Sequence, residues 1–290
     1  MASKKLSEEL YEKYNWEDLP EVSNWFLYTY RAFMKLFWIF FIGSGALILS
    51  VLIFPILRIF IHKPDKFRLA GQRVISACFK FFMKLLDLSH IAKIKTDSKD
   101  EFKNLHSKII VANHPSILDT VVLISLIPNA TVIAGEKYTK GFLGGVIKAC
   151  YIINSLDFEE LCRRCKESLS LGSNVIIFPE GTRTPRHGQN HFKKGAARIA
   201  KATGANIIPV FIGGTDKFGL QKNNPFWSYN TVESYIYEII MLEEIQTADF
   251  ENLTEPIFAK RVTNLCAEKI YDAAEKYKVH HPFTKTVNNV

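Results

Sequence analysis

"KIIVANHPSILDTVVLISLI", residues 108–127, decides how the chain is read. It opens on "KIIVAN", a β-branched apolar run of the kind shown by a strand covered on both faces. It closes on helical spacing over residues 116–127. A strand that turns directly into a helix is half of a βαβ unit, and the same alternation recurs outward from this stretch. "TVIAG", "YIIN", "NVIIFP" and "NIIPVFI" read as strands, and residues 159–171 and 194–203 have helical spacing. The second of these helices meets Gly204, a residue suited to a helix stop. The expected fold is therefore α/β, a mostly parallel central sheet flanked by helices. An amphipathic helix over roughly 256–278 is expected to close the core. No internal repeat or low-complexity segment interrupts the pattern.

Ahead of this region the chain changes character. From Leu36 to Leu57 it runs 22 residues without a charge, between Lys35 and Arg58. About 20 apolar residues suffice to cross a bilayer core, so this stretch is expected to span a membrane or to enter and return. It does not read as a cleavable signal, because some 35 residues precede it, many of them acidic. Within "RVISACFKFFMKLLDL", Arg73, Ala77, Lys80 and Lys84 share one helical face, and Val74, Ile75, Cys78, Phe81, Phe82 and Leu85 share another. That pattern suits a basic helix lying in a membrane surface, or a helix packed on the domain with a solvated basic face. Cations follow the apolar run more densely than they precede it, which places the C-terminal bulk on the cytoplasmic side of a membrane. Three regions are expected: a polar N-terminal segment over 1–33, membrane-associated helices over 34–88, and a catalytic domain over 89–290.

With 290 residues, 48% of them hydrophobic, the chain can bury a sizeable core. A formal net charge of +8 suggests an acidic partner: nucleic acid, anionic lipid or a phosphorylated substrate. Five cysteines form no disulfide framework, and the lone Cys162-Arg-Arg-Cys165 pair lies in a polar helical stretch with no second such pair. No metal site is evident. Asn252-Leu-Thr254 fits a glycosylation acceptor only formally, since a cytoplasmic placement leaves it unused.

His114 stands where a parallel strand ends, the edge at which α/β sheets present groups to ligands. Asp119 follows after four intervening residues. The pair fits a general base with a carboxylate that fixes its tautomer; it fits equally a helix start in which Ser116-Ile-Leu-Asp119 forms a capping box. A second strand ends in "IIFPEGTRT", residues 176–184. There, amides near Gly181 and Thr182 with the Arg183 guanidinium could hold a phosphate, or Glu180 and Arg183 could form a surface ion pair. Lys193 and Lys194 follow shortly.

Taken together, "NHPSILD", "FPEGTRT" and "FKKGAARIAKATGANIIPV" resemble, in order, the motif blocks of the glycerolipid acyltransferases, enzymes that acylate lysophosphatidic acid and related lysophospholipids. The resemblance covers roughly residues 85–225. It implies that His114 is a general base oriented by Asp119, both catalytic. It implies that Asn113, Ser116, Glu180, Gly181, Thr182, Arg183 and Lys193 contact substrate. It further implies a membrane-bound O-acyltransferase that moves an acyl group from acyl-coenzyme A or acyl carrier protein to a lysolipid hydroxyl. No resident cofactor or nucleic-acid partner is expected. One block departs: the family's arginine-bearing run between the two main motifs is replaced by "ACYIIN", with Asn154 near that place. Lys137 or Lys140 could stand in, and a different hydroxylated lipid could be the acceptor. A non-catalytic anionic-lipid binder is the rival of another class, although lipid binding alone needs no acid–base pair. A hydrolase lacks support, for the chain has no Gly-x-Ser-x-Gly elbow.

Overall fold

The computed structural model describes residues 21–136, 144–146, 151–154, 157–186 and 189–280. A seven-stranded sheet forms its centre, made of β1 (Ala92–Lys95), β2 (Ile109–Ala112), β3 (Ala130–Ala134), β4 (Ile152–Ile153), β5 (Asn174–Ile177), β6 (Ile207–Gly214) and β7 (Tyr235–Met241). The spatial order is β1-β7-β6-β2-β5-β3-β4, and every neighbouring pair is parallel except β6 with β7. The five expected strands are all present. The two outside that expectation, β1 and β7, pair with each other in parallel at one edge.

Strands β2, β5 and β6 are buried along their whole length, the reason their sequences read as unbroken apolar runs. Alternate residues supply two cores. Ile110 and Ala112 enter the core beneath the N-terminal helices, and Ile109 and Val111 enter the core on the other face. That second face is covered by α6 (Phe158–Ser170), α7 (Gly195–Thr203) and α8 (Glu255–His280). Gly204 caps α7 with φ 72°, the left-handed conformation for which glycine suits a helix stop. Cys165 and Cys266 lie buried here as free thiols, and burial pushes each up to about 12. Such thiols behave as small apolar side chains and poor ligands.

The first face is covered by α1 (Trp25–Ile48), which runs through a π-helical turn at Leu49–Ile53 into α2 (Phe54–Phe60), and by α3 (Pro64–Leu88). The helix begins at Trp25, capped by the Asn24 side chain accepting from Leu27 N at 2.9 Å, and so takes in part of the segment expected to be polar. Two short helices complete this side, α4 (Lys99–Lys103) and α5 (Asp119–Leu126). The stretch Trp25–Phe60 is long and apolar enough to cross a membrane. One stripe of it nonetheless belongs to the protein: Trp38 and Phe41 meet the Phe82 ring of α3, and Phe54 meets Phe67. The opposite face, with Phe26, Phe33, Phe37 and Phe40, is exposed.

Helix α3 corrects the membrane-surface reading of its apolar face. Ile75, Phe82, Met83 and Leu86 are buried, and the Ser76 hydroxyl donates to the Ile124 carbonyl of α5 at 2.7 Å. Arg73, Lys80 and Lys84 are exposed on the far side. This is the domain-packed helix with a solvated basic face, and Phe81 and Leu88 are the large apolar residues it leaves outside.

Candidate active site

His114 follows β2 by two residues and Glu180 follows β5 by three, so both stand beyond the C-terminal ends of adjacent central strands, where α/β sheets carry their ligands. His114 Nδ1 lies 2.8 Å from Asp119 Oδ2. The imidazole is about one-fifth exposed, and the carboxylate is fully buried. Each oxygen of Asp119 has a further donor: Ser116 N gives to Oδ2 at 2.7 Å, and the Ser116 hydroxyl gives to Oδ1 at 2.6 Å. A carboxylate placed among donors acts as an acceptor, so the histidine proton belongs on Nδ1 and Nε2 is left as the basic nitrogen. Asp119 is the first residue of α5, whose N-cap Leu118 makes no side-chain cap bond; its Oδ2 instead reaches back to Ser116 N–H, and the same oxygen orients His114.

Two groups that the sequence reading did not single out complete the pair. Phe178 stacks on the imidazole with centroids 4.2 Å apart and planes 22° apart, which fixes the plane of the ring. Tyr237, fully buried on β7, lies 2.9 Å from Ser116 Oγ. Because the single serine proton goes to Asp119, Tyr237 is the donor in that contact. Burial first, and then the negative charge of Asp119, push the Tyr237 phenol well above its usual range. Beneath it Lys217, fully buried, donates to the carbonyls of Gly213 and Ile236 at 3.2 and 2.9 Å. Burial lowers that ammonium to about 8, against the opposing pull of Asp119, Asp216 and Glu233. Nothing in the local sequence pointed to Tyr237 or Lys217, because β7 lies far along the chain and its antiparallel pairing with β6 is a tertiary fact. Phe178 sits inside the motif but reads there as an ordinary strand residue.

The FPEGTRT loop clamps the backbone of the catalytic turn. Glu180 Oε1 and Thr184 Oγ1 both accept from His114 N at 3.0 Å, and Thr184 N donates to His114 O at 2.7 Å. Glu180 Oε2 accepts from Asn190 Nδ2 at 2.8 Å. Burial raises the Glu180 carboxyl above its ordinary value, although the bonds from Thr184, Asn190 and His114 N oppose the shift. Three residues expected at the substrate are turned inward instead. Glu180 holds His114, Ser116 holds Asp119, and Asn113 exchanges two bonds with the Ile212 backbone at 3.0 and 2.7 Å, extending the β2–β6 ladder by one side chain.

The residues that remain at the surface of the loop are Gly181, Thr182, Arg183 and Lys193. Gly181 has φ 67°, and a Cβ there would meet Lys193 Nζ, so the lysine folds over this glycine. Arg183 Nη1 donates to the carbonyls of Leu220 and Gln221 at 3.0 and 2.8 Å, and Arg183 does not form the ion pair with Glu180 that the sequence allowed. Lys137 and Lys140 lie outside the described residues. Among the described residues, no group of three or more His, Cys, Asp and Glu side chains is placed to hold a metal ion.

The site thus holds a histidine paired with a buried carboxylate at the C-terminal end of a parallel sheet, and a neighbouring loop that carries Arg183 and Lys193. Residues 93–213 match the family model described as acyltransferase. Its relatives are glycerolipid enzymes. It is 30% identical over 138 residues to a chloroplastic 1-acyl-sn-glycerol-3-phosphate acyltransferase of Arabidopsis thaliana, covering 46% of this chain and 39% of that one. It is 27% identical over 162 residues to the 1-acyl-sn-glycerol-3-phosphate acyltransferase of Borreliella burgdorferi, covering 56% and 58%. The chain thus spans less than two thirds of the length of these curated relatives. In fold it is similar to the crystal structure of the 1-acyl-sn-glycerophosphate acyltransferase of Thermotoga maritima, with a TM-score of 0.61, 22% identity, and coverage of 86% of this chain and 93% of that one.

Proposed function

We propose that this protein transfers a fatty acyl group from an acyl thioester to the hydroxyl of a lysophospholipid such as 1-acyl-glycerol-3-phosphate, at a membrane surface. The observation that carries the reading is the His114–Asp119 pair, whose geometry leaves Nε2 as a base at the exposed rim of the sheet. Nε2 takes the proton of the acceptor hydroxyl as its oxygen attacks the thioester carbonyl. Asp119 holds the tautomer and stabilises the imidazolium that forms, and the same proton then passes to the departing thiolate. No covalent acyl-enzyme is needed. Positioned proton transfer of this kind is worth about 10²–10⁴ in rate. Coenzyme A or an acyl carrier protein supplies the thioester, and no resident cofactor takes part.

Arg183 and Lys193 would hold the anionic head of the acceptor beside Gly181, where their charges face the same surface loop. The exposed aromatic face of α1 would rest in the cytoplasmic leaflet and let both acyl chains reach the site without leaving the lipid. The test is acyl transfer by the purified protein from palmitoyl-coenzyme A and palmitoyl-carrier protein to a panel of lysolipids, beside His114→Ala. Transfer by the wild type alone supports the reading. Equal transfer by a folded His114→Ala protein removes His114 from the chemistry, and silence of the wild type across the panel favours the non-catalytic lipid binder.

A further inference from the structure

The segment joining β6 to β7, residues 215–234, supplies none of the proposed chemistry, yet it carries a prominent exposed aromatic pair. Phe226 is 63% exposed and Trp227 70%, with their rings in edge contact at 5.6 Å. The backbone that presents them is fastened on two sides. On one side Lys35, buried in the middle of α1, donates to the carbonyls of Gly219 at 3.4 Å, Phe226 at 2.7 Å and Ser228. On the other side Leu220 and Gln221 offer their carbonyls to Arg183, and Leu220 also accepts from Ile117 N at 3.1 Å. Ile117 is exposed and lies three residues after His114. The aromatic tip, α1 and the rim of the His114 site are therefore one hydrogen-bonded piece.

We propose that Phe226 and Trp227 form a second membrane contact, inserted in the interfacial layer of the bilayer beside α1, which sets the His114 rim against the lipid. The inference rests on the reading of α1 as the membrane-facing helix. A bilayer is the occupant that the surroundings fit. The tip is bonded through Lys35 to the helix whose outer face exposes Phe26, Phe33, Phe37 and Phe40. Tryptophan and phenylalanine match the boundary between headgroups and acyl chains. Because Leu220 and Gln221 bind Arg183 directly, seating the tip would also steady the guanidinium that faces the acceptor.

The test uses the full chain with Trp16, Trp25 and Trp38 changed to Phe, so that Trp227 alone fluoresces. The protein is reconstituted with vesicles of phosphatidylcholine and phosphatidylglycerol, with and without lipids brominated on their acyl chains. A blue shift with bromine quenching at shallow depth is expected. Trp227 emission left unchanged in protein that floats with the vesicles overturns the proposal while sparing the α1 reading; protein that does not float overturns both. In a second measurement, Phe226→Ser with Trp227→Ser should lower turnover of vesicle-embedded long-chain acceptor at least about fivefold and leave turnover of a dispersed short-chain acceptor unchanged. Equal losses on the two acceptors would show that the loop acts only on the fold of the site.

Discussion

Glu180 Oε1 accepts the main-chain N–H of His114 at 3.0 Å across 66 residues of sequence. The acidic residue of the second motif thus holds the backbone from which the His114 imidazole projects, and the two motifs are joined through the main chain. The bond joins the ends of β2 and β5, which are neighbours in the sheet, so the strand order itself brings the two motifs together.

Glu180 also gives the site a signature in its stability. Its carboxyl is raised in the folded protein by burial, so the folded state holds that proton more tightly than the unfolded state does. As pH rises from the ordinary carboxylate range through the raised folded value, the unfolded state binds fewer protons and stability falls. Glu180→Gln removes this titration. The stability difference between wild type and Glu180→Gln, from urea midpoints between about pH 4 and pH 8, should shift against the wild type as pH rises. A flat difference would mean that the carboxyl titrates as it does in water.

The role of Asp119 beside His114 separates from its bonds to Ser116 through Asp119→Asn. The asparagine oxygen can still accept from the Ser116 side chain or backbone, but it no longer supplies the charge that holds Nδ1–H and stabilises an imidazolium. Turnover should fall by roughly 10²–10⁴ with little change in acceptor KM or in melting temperature. A variant that loses stability in proportion to its activity would point to the bonds with Ser116 alone.

The fold was largely legible in the sequence because its central strands are covered on both faces. "KIIVAN", "NVIIFP" and "NIIPVFI" carry no polar alternation that could disguise them. Strand β1, "AKIK", is short and carries two lysines at the sheet edge, and β7 offers its Tyr235, Tyr237 and Ile239 to the core in a two-residue period that a mixed apolar run conceals. The pairing of His114 with Asp119 was legible from strand end and spacing. The inward roles of Asn113, Ser116 and Glu180 were not, since a motif shows which residues recur at a site and not which way each side chain turns. Sequence spacing likewise showed α3 to be two-faced without saying that its apolar face meets α1 and α5.

Tyr237 should act on the reaction through Ser116. Tyr237→Phe removes one buried donor and leaves Ser116 free to keep its bond to Asp119. The expected cost is about 1 kcal/mol in stability, with kcat lowered several-fold and KM unchanged. Ser116→Ala removes the hydroxyl that donates to Asp119 Oδ1 and its link to Tyr237, and should lower kcat further than Tyr237→Phe does. Equal effects of the two variants on kcat would place Tyr237 outside the chain of bonds.

Arg183 faces both the proposed acceptor and the 215–234 segment. Arg183→Ala should raise the acceptor KM about tenfold, close to the 1.4 kcal/mol of a charge-assisted hydrogen bond, and should leave kcat within a few-fold. Arg183→Lys should recover little of this, because an ammonium cannot reproduce the fork that meets a phosphate and two carbonyls in fixed directions. A KM unmoved in both variants would take Arg183 out of acceptor binding and leave it only as a fastening for the loop.

The packing of α1 changes what an anchor experiment must look like. Deleting residues 1–60 would strip Trp38 and Phe41 from the Phe82 ring and take the Lys35 ammonium away from the carbonyls of Gly219, Phe226 and Ser228. Such a deletion should destabilise the whole domain, so lost activity would say little about membranes. Substitution of the outer face avoids this: Phe26, Phe33 and Phe40 are exposed, and changing all three to Ser leaves the contacts of Trp38 and Phe41 with Phe82 in place. Each buried aromatic side chain is worth about 1.5–3 kcal/mol when removed from water, so three polar replacements should release much of the protein from vesicles in a flotation assay. The melting temperature of the detergent-solubilised protein should stay near the wild-type value. A variant that remains fully on the vesicles would show that α1 meets the membrane through other residues or not at all.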